Sequence, residues 1–405
     1  LVAGKILFAL VSLSFVFPVE TGVSQAPRSP SSTGSDLTAQ TSLVVVPALV
    51  RSKSGQLVFS LNASDFALTD DGIPQKLTLE QDTGGDPLAM VVVVEVGGAG
   101  AREFDNDKLA PLGPMLENMV GNVPHRIAVV SFDSQPKLVQ GFTPNLDEAA
   151  KAILDLTPGC SRQHHMENCE APGSFHDLSS ADNGAAILDA LGFAVELLRD
   201  QPVSHRRTIL LVSETIDRGS ELKVEDAVRD LSETNIVIYS FGFSTGKSEA
   251  THYAYRELPG SHRYSNPPHG CMGEDPVPDP DATHSKTVQA YDCLTQLAPP
   301  LALAKMAAIL VTDGLHRNVP ETVARLTGGE YFKLTDRKSL ERGLQTISNH
   351  LPNRYVLTFH PPSPHPGFHA IAMRLPNYSN LEVTGRRGYW TEEFDGSPQT
   401  APEPH

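Results

Sequence analysis

Two kinds of apolar pattern alternate along the chain, and the change from one to the other divides it into regions. Leu88–Val96 (LAMVVVVEV), Arg126–Phe132 (RIAVVSF), Thr208–Val212 (TILLV) and Asn235–Phe241 (NIVIYSF) are near-continuous apolar runs. Strands without polar alternation are buried on both faces, the signature of a parallel sheet covered by helices. The segments between them carry helical spacing. Asn145–Leu156 has an Asn start, acids in its first turn, and Ala149, Ile153 and Leu156 on one face. Asn183–Leu198 places Ala186, Ala190, Phe193 and Leu197 at helical intervals, and Val224–Leu231 is a further helix. Asp107–Met119 is a poorer helix, broken by Pro111 and Pro114. Later come a helix through Leu301–Val311, another at Val319–Leu326, a strand at Glu330–Lys333 and a helix at Leu340–His350. Leu310-Val-Thr-Asp-Gly314 imitates a strand ending in a functional Asp. Leu301, Ala304, Ala308, Val311 and Leu315 nevertheless recur at helical spacing, so a helix ending at Asp313-Gly314 is expected.

This β-α alternation predicts an α/β fold with a doubly wound, mostly parallel sheet over residues 86–350. A Gly-, Pro- and His-rich insertion covers residues 244–287 within it. The flanks follow period two instead. Ser42–Val50, Gln56–Leu61, Phe66–Thr69 and Gln75–Glu80 read as short strands of an N-terminal module over residues 41–85. Arg354–His360, Phe368–Leu375 and Leu381–Thr384 are strands of the C-terminal stretch, residues 351–390. Neither group is large enough to bury a core alone, so the two are expected to pack into one small β-sandwich-like unit.

The N-terminus changes the picture of where this fold works. Lys5 precedes an apolar stretch from Ile6 to Phe17, followed by small and polar residues to Ala26. That is the form of a secretory signal peptide over residues 1–26, and too short for a stable span of about 20 apolar residues. A retained membrane anchor is the alternative if the leader stays uncleaved. Residues 27–40, rich in Ser, Pro and Thr, read as a flexible tether, and residues 391–405 as a frayed tail. A secreted or periplasmic protein is expected. Cys160, Cys169, Cys271 and Cys293 lie in two polar, Pro/Gly-rich stretches and suit an oxidising compartment. Four cysteines allow three disulfide pairings, and spacing does not choose among them. Nearest-neighbour pairing is the simplest; zinc binding with the flanking histidines and free thiols are the alternatives.

A formal net charge of -16 argues against a polyanion-binding surface, so nucleic acid is not an expected partner. The sequence has no P-loop, no Gly-x-Gly-x-x-Gly, no Cys-x-x-Cys and no His-Glu-x-x-His, and Ser131, Ser213 and Ser240, which end strands, sit in no Gly-x-Ser-x-Gly elbow with a recognisable base partner. No nucleotide or other small-molecule cofactor is expected.

In an open parallel sheet, ligands bind beyond the carboxyl ends of the strands. The first such end is Val94-Glu95-Val96-Gly97-Gly98-Ala99-Gly100. Together with Asp65-Phe66, Asp71-Gly72-Ile73-Pro74-Gln75-Lys76, Leu326-Thr327-Gly328-Gly329-Glu330-Tyr331-Phe332, Tyr355–Phe359 and Gly388-Tyr389, in that order, it makes the chain resemble the von Willebrand factor A-related domain proteins common in Acidobacteria. The likeness extends over about residues 40 to 390. It implies a metal-ion-dependent adhesion site, in which an Asp-x-Ser-x-Ser loop, a Thr and a later Asp hold a divalent cation that a partner's carboxylate completes.

Carried over by position, that site becomes Glu95, Gly97 and Ala99 in the first loop, Ala185 for the threonine and Glu214 for the later Asp. Gly97, Ala99 and Ala185 offer no oxygen to Mg²⁺, which demands near-octahedral oxygen coordination. Each Glu carries its carboxylate one methylene further out than Asp. A degenerate site is therefore expected, with no metal, no catalysis and an unknown protein or cell-surface ligand as partner. The alternatives are a divalent-cation-dependent adhesin using Mg²⁺, and a hydrolase pairing Glu95 with Glu214, since facing carboxylates raise one pKa. Asp133, after the Ile127–Phe132 run, is a turn residue or a polar group of the same crevice.

Overall fold

The computed structural model describes residues 43–80, 85–97, 100, 103, 108–156, 185–244, 299–362 and 365–392. The expected leader, tether and tail beyond residue 392, all four cysteines and residues 245–298, which include almost all of the expected insertion, lie outside the described residues.

The N-terminal strands are β1 (Val44–Ser52), β2 (Ala67–Asp70), β3 (Ile73–Pro74) and β4 (Thr78–Glu80). The central strands are β5 (Leu88–Glu95), β6 (His125–Phe132), β7 (Pro136–Thr143), β8 (Arg206–Glu214), β9 (Ile236–Phe243) and β10 (Tyr331–Lys333). The C-terminal strands are β11 (Tyr355–Phe359), β12 (Gly367–Arg374), β13 (Leu381–Gly385) and β14 (Gly388–Thr391). The described helices are α1 (Leu116–Val120), α2 (Leu146–Leu154), α3 (Ile187–Arg199), α4 (Val224–Glu233), α5 (Pro299–Arg317), α6 (Val319–Thr327) and α7 (Arg337–His350).

The central sheet runs β10-β9-β8-β5-β6-β7. Every neighbouring pair is parallel except β6–β7. Counted within the sheet alone, this is the doubly wound order that reverses beside its first strand, with an antiparallel edge added. All eight residues of β5 are buried, and their alternation separates two cores. Leu88, Met90, Val92 and Val94 face Leu112, Leu116, Ile153, Leu344 and Ile347. Ala89, Val91 and Val93 face Ile187, Leu191, Leu198, Val228 and Val323. A continuous Val run thus serves both layers, because successive side chains point to opposite faces.

Helix starts follow capping chemistry. Asn145 accepts from the Asp147 amide at 3.0 Å, and Asp336 from Ser339 at 2.7 Å. Asn318 caps α6, which ends at Gly328 with φ 80°.

The terminal strands interleave. One sheet has the order β13-β1-β11-β4 and another β14-β12-β2-β3, so each mixes strands from both ends of the chain. Val46 pairs with Leu357, Val50 with Val383 and Asp70 with Ile371. The two sheets share a core of Val46, Ala48, Leu68, Leu357, Phe359 and Ile371, which makes them a small β-sandwich. Two buried arginines join this unit to the central domain. Arg386 donates to Ser232 O at 2.6 Å and Asn235 Oδ1 at 2.9 Å; Arg354 donates to Gly328 O at 2.6 Å and Tyr239 Oη at 3.0 Å.

Three expectations need correction. Gln56–Leu61 is not a strand but makes a single bridge, Arg51 to Leu57. The helix expected from Asp107 is confined to Leu116–Val120, after turns that accommodate Pro111 and Pro114. The helix through Leu301 does not stop at Asp313-Gly314 but continues to Arg317. Gly314 is there for closeness: a Cβ on it would lie 2.7 Å from Thr322 Oγ1 on the next helix. The edge strand β7 was not expected.

The Gly328-Gly329 pair closes the turn before β10. A Cβ on Gly329 would fall 1.9 Å from the Ile238 carbonyl oxygen, a backbone atom inside the central sheet that cannot swing aside. Gly329→Ala is expected to lower unfolding free energy by about 1–3 kcal/mol in urea denaturation, the cost of overpacking. A change indistinguishable from zero would contradict this packing.

Candidate functional site

The carboxyl ends of β5, β6 and β8 lie side by side, and the expected residues collect there. Glu95 ends β5 and Glu214 ends β8; both are buried, at 1 % and 2 % exposure. Glu95 does not point to solvent. Its Oε2 accepts from the Glu214 amide at 2.7 Å, and its Oε1 from the Gly100 amide at 3.1 Å. Gly100 is placed by the same contact, since a Cβ there would lie 2.2 Å from the Glu95 carbonyl oxygen. The side chain of Glu214 turns toward Arg218, whose Nε lies 3.5 Å from Oε1.

The Ala185 backbone joins the same edge. Its carbonyl accepts from the Arg218 amide at 2.7 Å, while the Ala186 amide donates to the Asp133 carbonyl at 2.9 Å. Asp133 itself is exposed, and its carboxylate accepts from the Gln135 amide at 3.1 Å, so it serves as a turn residue. Gly97 forms a bend after β5, and Ala99 lies outside the described residues.

A second set of acids is committed in the same way. Asp217 Oδ1 accepts from the Leu188 amide at 3.1 Å and the Ser220 hydroxyl at 2.7 Å. Asp189, on α3, accepts from the amides of Glu221 at 2.9 Å and Leu222 at 2.7 Å. The start of α3 and the loop after β8 therefore clamp one another through reciprocal carboxylate–amide bonds, the arrangement that helix N-termini favour.

Burial is the main force on the Glu95 carboxyl and pushes it well above its ordinary value. The Glu214 amide opposes this, the Glu214 carboxylate adds to it, and the Gly100 amide and Arg218 pull back. The pairing of two acids is thus a lesser cause than removal from water. Burial likewise raises the Asp217 carboxyl, against the bonds from Ser220 and Leu188.

Two clefts lie in the central domain, and neither includes Glu95 or Glu214. One of about 400 Å³ is lined by Asp217, Ser220, Lys223 and His316 among others. The other, about 410 Å³, lies at the opposite, amino end of the sheet, beside Leu88, Arg206 and Val237.

Sequence reasoning named Glu95, Glu214 and Ala185, and the fold brings all three together. It missed Arg218 and Asp217. The Glu214-x-x-x-Arg218 spacing was a visible signal, but a loop conformation was needed to show that both groups turn to one place.

The class defined by this geometry is a doubly wound α/β domain carrying an interleaved β-sandwich. No family model and no curated protein matches the chain. Among solved structures it is similar to the conserved hypothetical protein BatB from Bacteroides thetaiotaomicron, at 11 % identity and a TM-score of 0.33, over 65 % of this chain and 98 % of that one. It is also similar to the vWF domain of the type V pili tip protein Mfa5 from Porphyromonas gingivalis, at 18 % identity and a TM-score of 0.24, over 33 % and 39 %. Proximal thread matrix protein 1 from the mussel byssus matches at 17 % identity and a TM-score of 0.30, over 43 % and 40 %. At these scores, site and partner must be argued from the chain's own geometry.

A raised native pKa means that the folded state holds more protons than the unfolded chain once pH exceeds the unfolded value. The contribution of Glu95 is therefore fully present below its ordinary pKa of 4.5 and is lost as pH rises through the raised native value. Glu95→Gln keeps an acceptor for the Glu214 amide and has no charge to bury. Its stability relative to the native sequence is expected to improve as pH rises from about 4.5 through the raised native value in urea unfolding. A constant difference across that range would show that Glu95 titrates normally.

Proposed function

We propose that this chain is a non-catalytic, exported interaction module of the von Willebrand factor A type, of the kind common in Acidobacteria, whose metal-ion-dependent adhesion site has been given up. The observation that carries the reading is the Glu95 carboxylate, both of whose oxygens accept backbone amides at 2.7 and 3.1 Å. A carboxylate so engaged has one lone pair on each oxygen taken by the backbone and is buried, which weighs against its turning to a crevice cation. Gly97 and Ala185 supply no hydroxyl, and the Arg218 guanidinium beside Glu214 provides a fixed positive charge where a divalent ion would otherwise be needed. The 244–287 segment is the proposed contact element, because long loops on a rigid scaffold commonly carry recognition. The partner is a protein or cell-surface ligand met in the periplasm or outside the cell. The burial of Glu95 and Glu214, at 1 % and 2 % exposure, weighs against the hydrolase alternative.

Calorimetric titration of the chelator-stripped protein with Mg²⁺, Mn²⁺ and Ca²⁺ tests this reading. The expected result is no saturable binding heat that depends on Glu95 or Glu214. One-to-one binding that disappears in a Glu95→Gln, Glu214→Gln double variant would make the protein a cation-dependent adhesin instead.

A further inference from the structure

Chemistry that the strand-end crevice does not use lies in the β-sandwich. The two-residue turn Asp71-Gly72 joins β2 to β3 with φ of 48° and 82°, the positive values a type I′ hairpin requires. It holds Asp70 and Asp71 against the start of β12. There Asp71 Oδ2 lies 3.0 Å from His365 Nε2 and 2.8 Å from His369 Nδ1.

The other polar atom of each group is already engaged. Asp71 Oδ1 accepts from the Ala370 amide at 2.7 Å. His365 Nδ1 lies 3.0 Å from the Pro366 carbonyl, and His369 Nε2 lies 2.8 Å from the His365 carbonyl. A carbonyl oxygen only accepts, so these two ring nitrogens carry protons. In their neutral forms, the two rings then leave His365 Nε2 and His369 Nδ1 unprotonated, both beside a single carboxylate oxygen. These three atoms lie within 4.8 Å of one another.

Three electron-rich atoms this close call for a positive charge among them, a proton or a metal ion. His369 Nδ1 and Asp70 Oδ1, 3.3 Å apart, are both buried and neither has a properly directed hydrogen bond. Asp70 Oδ2 is meanwhile held by the Tyr389 hydroxyl at 2.8 Å, which fixes Oδ1 in place. Protonating both histidines would put two cations on rings stacked 4.0 Å apart. A single divalent ion answers all three atoms with one charge centre once the His365 ring turns toward it. The side chain of His365, 28 % exposed, leaves one side accessible for entry.

We propose that Asp71, His365 and His369 form a site for a borderline divalent transition metal, Zn²⁺ foremost, with the Asp70 carboxylate beside it. Two imidazoles and a carboxylate suit Zn²⁺ rather than the all-oxygen shells of Mg²⁺ or Ca²⁺. Ligand atoms about 3.3 Å apart are what a tetrahedral zinc with bonds of about 2.0 Å requires. The carboxylate–nitrogen separations of 2.8 and 3.0 Å need little opening, and the partly exposed His365 ring has to turn out of its 17° stack with His369 to bring both lone pairs onto one ion. Backbone carbonyls on the far ring nitrogens are the usual outer partners of metal-bound histidine. The ion would tie the β2–β3 hairpin to β12 across 294 residues of sequence, stapling the two ends of the chain.

The test is calorimetry and thermal unfolding of the full chain, stripped with chelator and titrated with ZnCl₂. Expected are one saturable zinc equivalent and a raised Tm. That equivalent should be lost in Asp71→Asn, which keeps an acceptor for Ala370. It should bind more than about tenfold weaker in His365→Ala. Glu95→Gln should leave it unchanged, which separates this site from the strand-end crevice. Circular dichroism in chelator establishes that each variant is folded, and either folded variant suffices. No saturable zinc in the native chain, or zinc bound as tightly by the variants, would overturn the proposal and leave an ion-paired, protonated His369 as the occupant.

Discussion

The carboxylate of Glu95, held between two backbone amides, is the interaction on which the strand-end edge depends. It stands at the end of a strand buried on every side, where an unpaired charge would be costly. The Glu214 and Gly100 amides answer that cost, and in doing so they fix the end of β8 and the turn after β5 relative to one another. Asp217 and Asp189 repeat the solution one loop away. Glu95 is thus turned inward, toward the backbone, while the side chain of Glu214 turns to Arg218.

The second organising constraint is the interleaving of the chain's two ends. β1 lies between β11 and β13, and β12 between β2 and β14, so neither terminal group completes a sheet without the other. Arg386 and Arg354 carry that unit into the central domain through carbonyls and side-chain oxygens. Each guanidinium is buried, and burial lowers the pKa of Arg386 to about 10, so the surrounding acceptors have to be well placed. The Asp71–His369 contacts sit in the same sandwich and join the same two ends of the chain.

Much of this was legible in the residues. The Val-rich runs announced buried parallel strands because nothing polar interrupts them, and Asn145 announced its helix by capping chemistry. The edge strand β7 was not legible. Its PKLVQGFT pattern leaves Leu138 and Val139 exposed at 41 % and 38 %, so it shows neither the continuous run of a buried strand nor clean alternation. Gly314 read as a helix stop because its packing partner, Thr322, lies on a different helix. Glu95, Ala185 and Glu214 could be placed at one edge from strand ends alone. The direction of their side chains could not, since it depends on amides supplied by neighbouring loops. The Asp71 and His365 contact spans 294 residues, and no local pattern reports it.

Hydrogen exchange at the Glu214 amide tests the central claim most directly, measured once in chelator and once in millimolar Mg²⁺. An amide donated to a buried carboxylate should exchange only through large-scale unfolding, at the same slow rate in both conditions. Fast exchange in chelator that slows when Mg²⁺ is added would contradict the account. It would mean that Glu95 is free to leave the backbone and that a cation organises the edge.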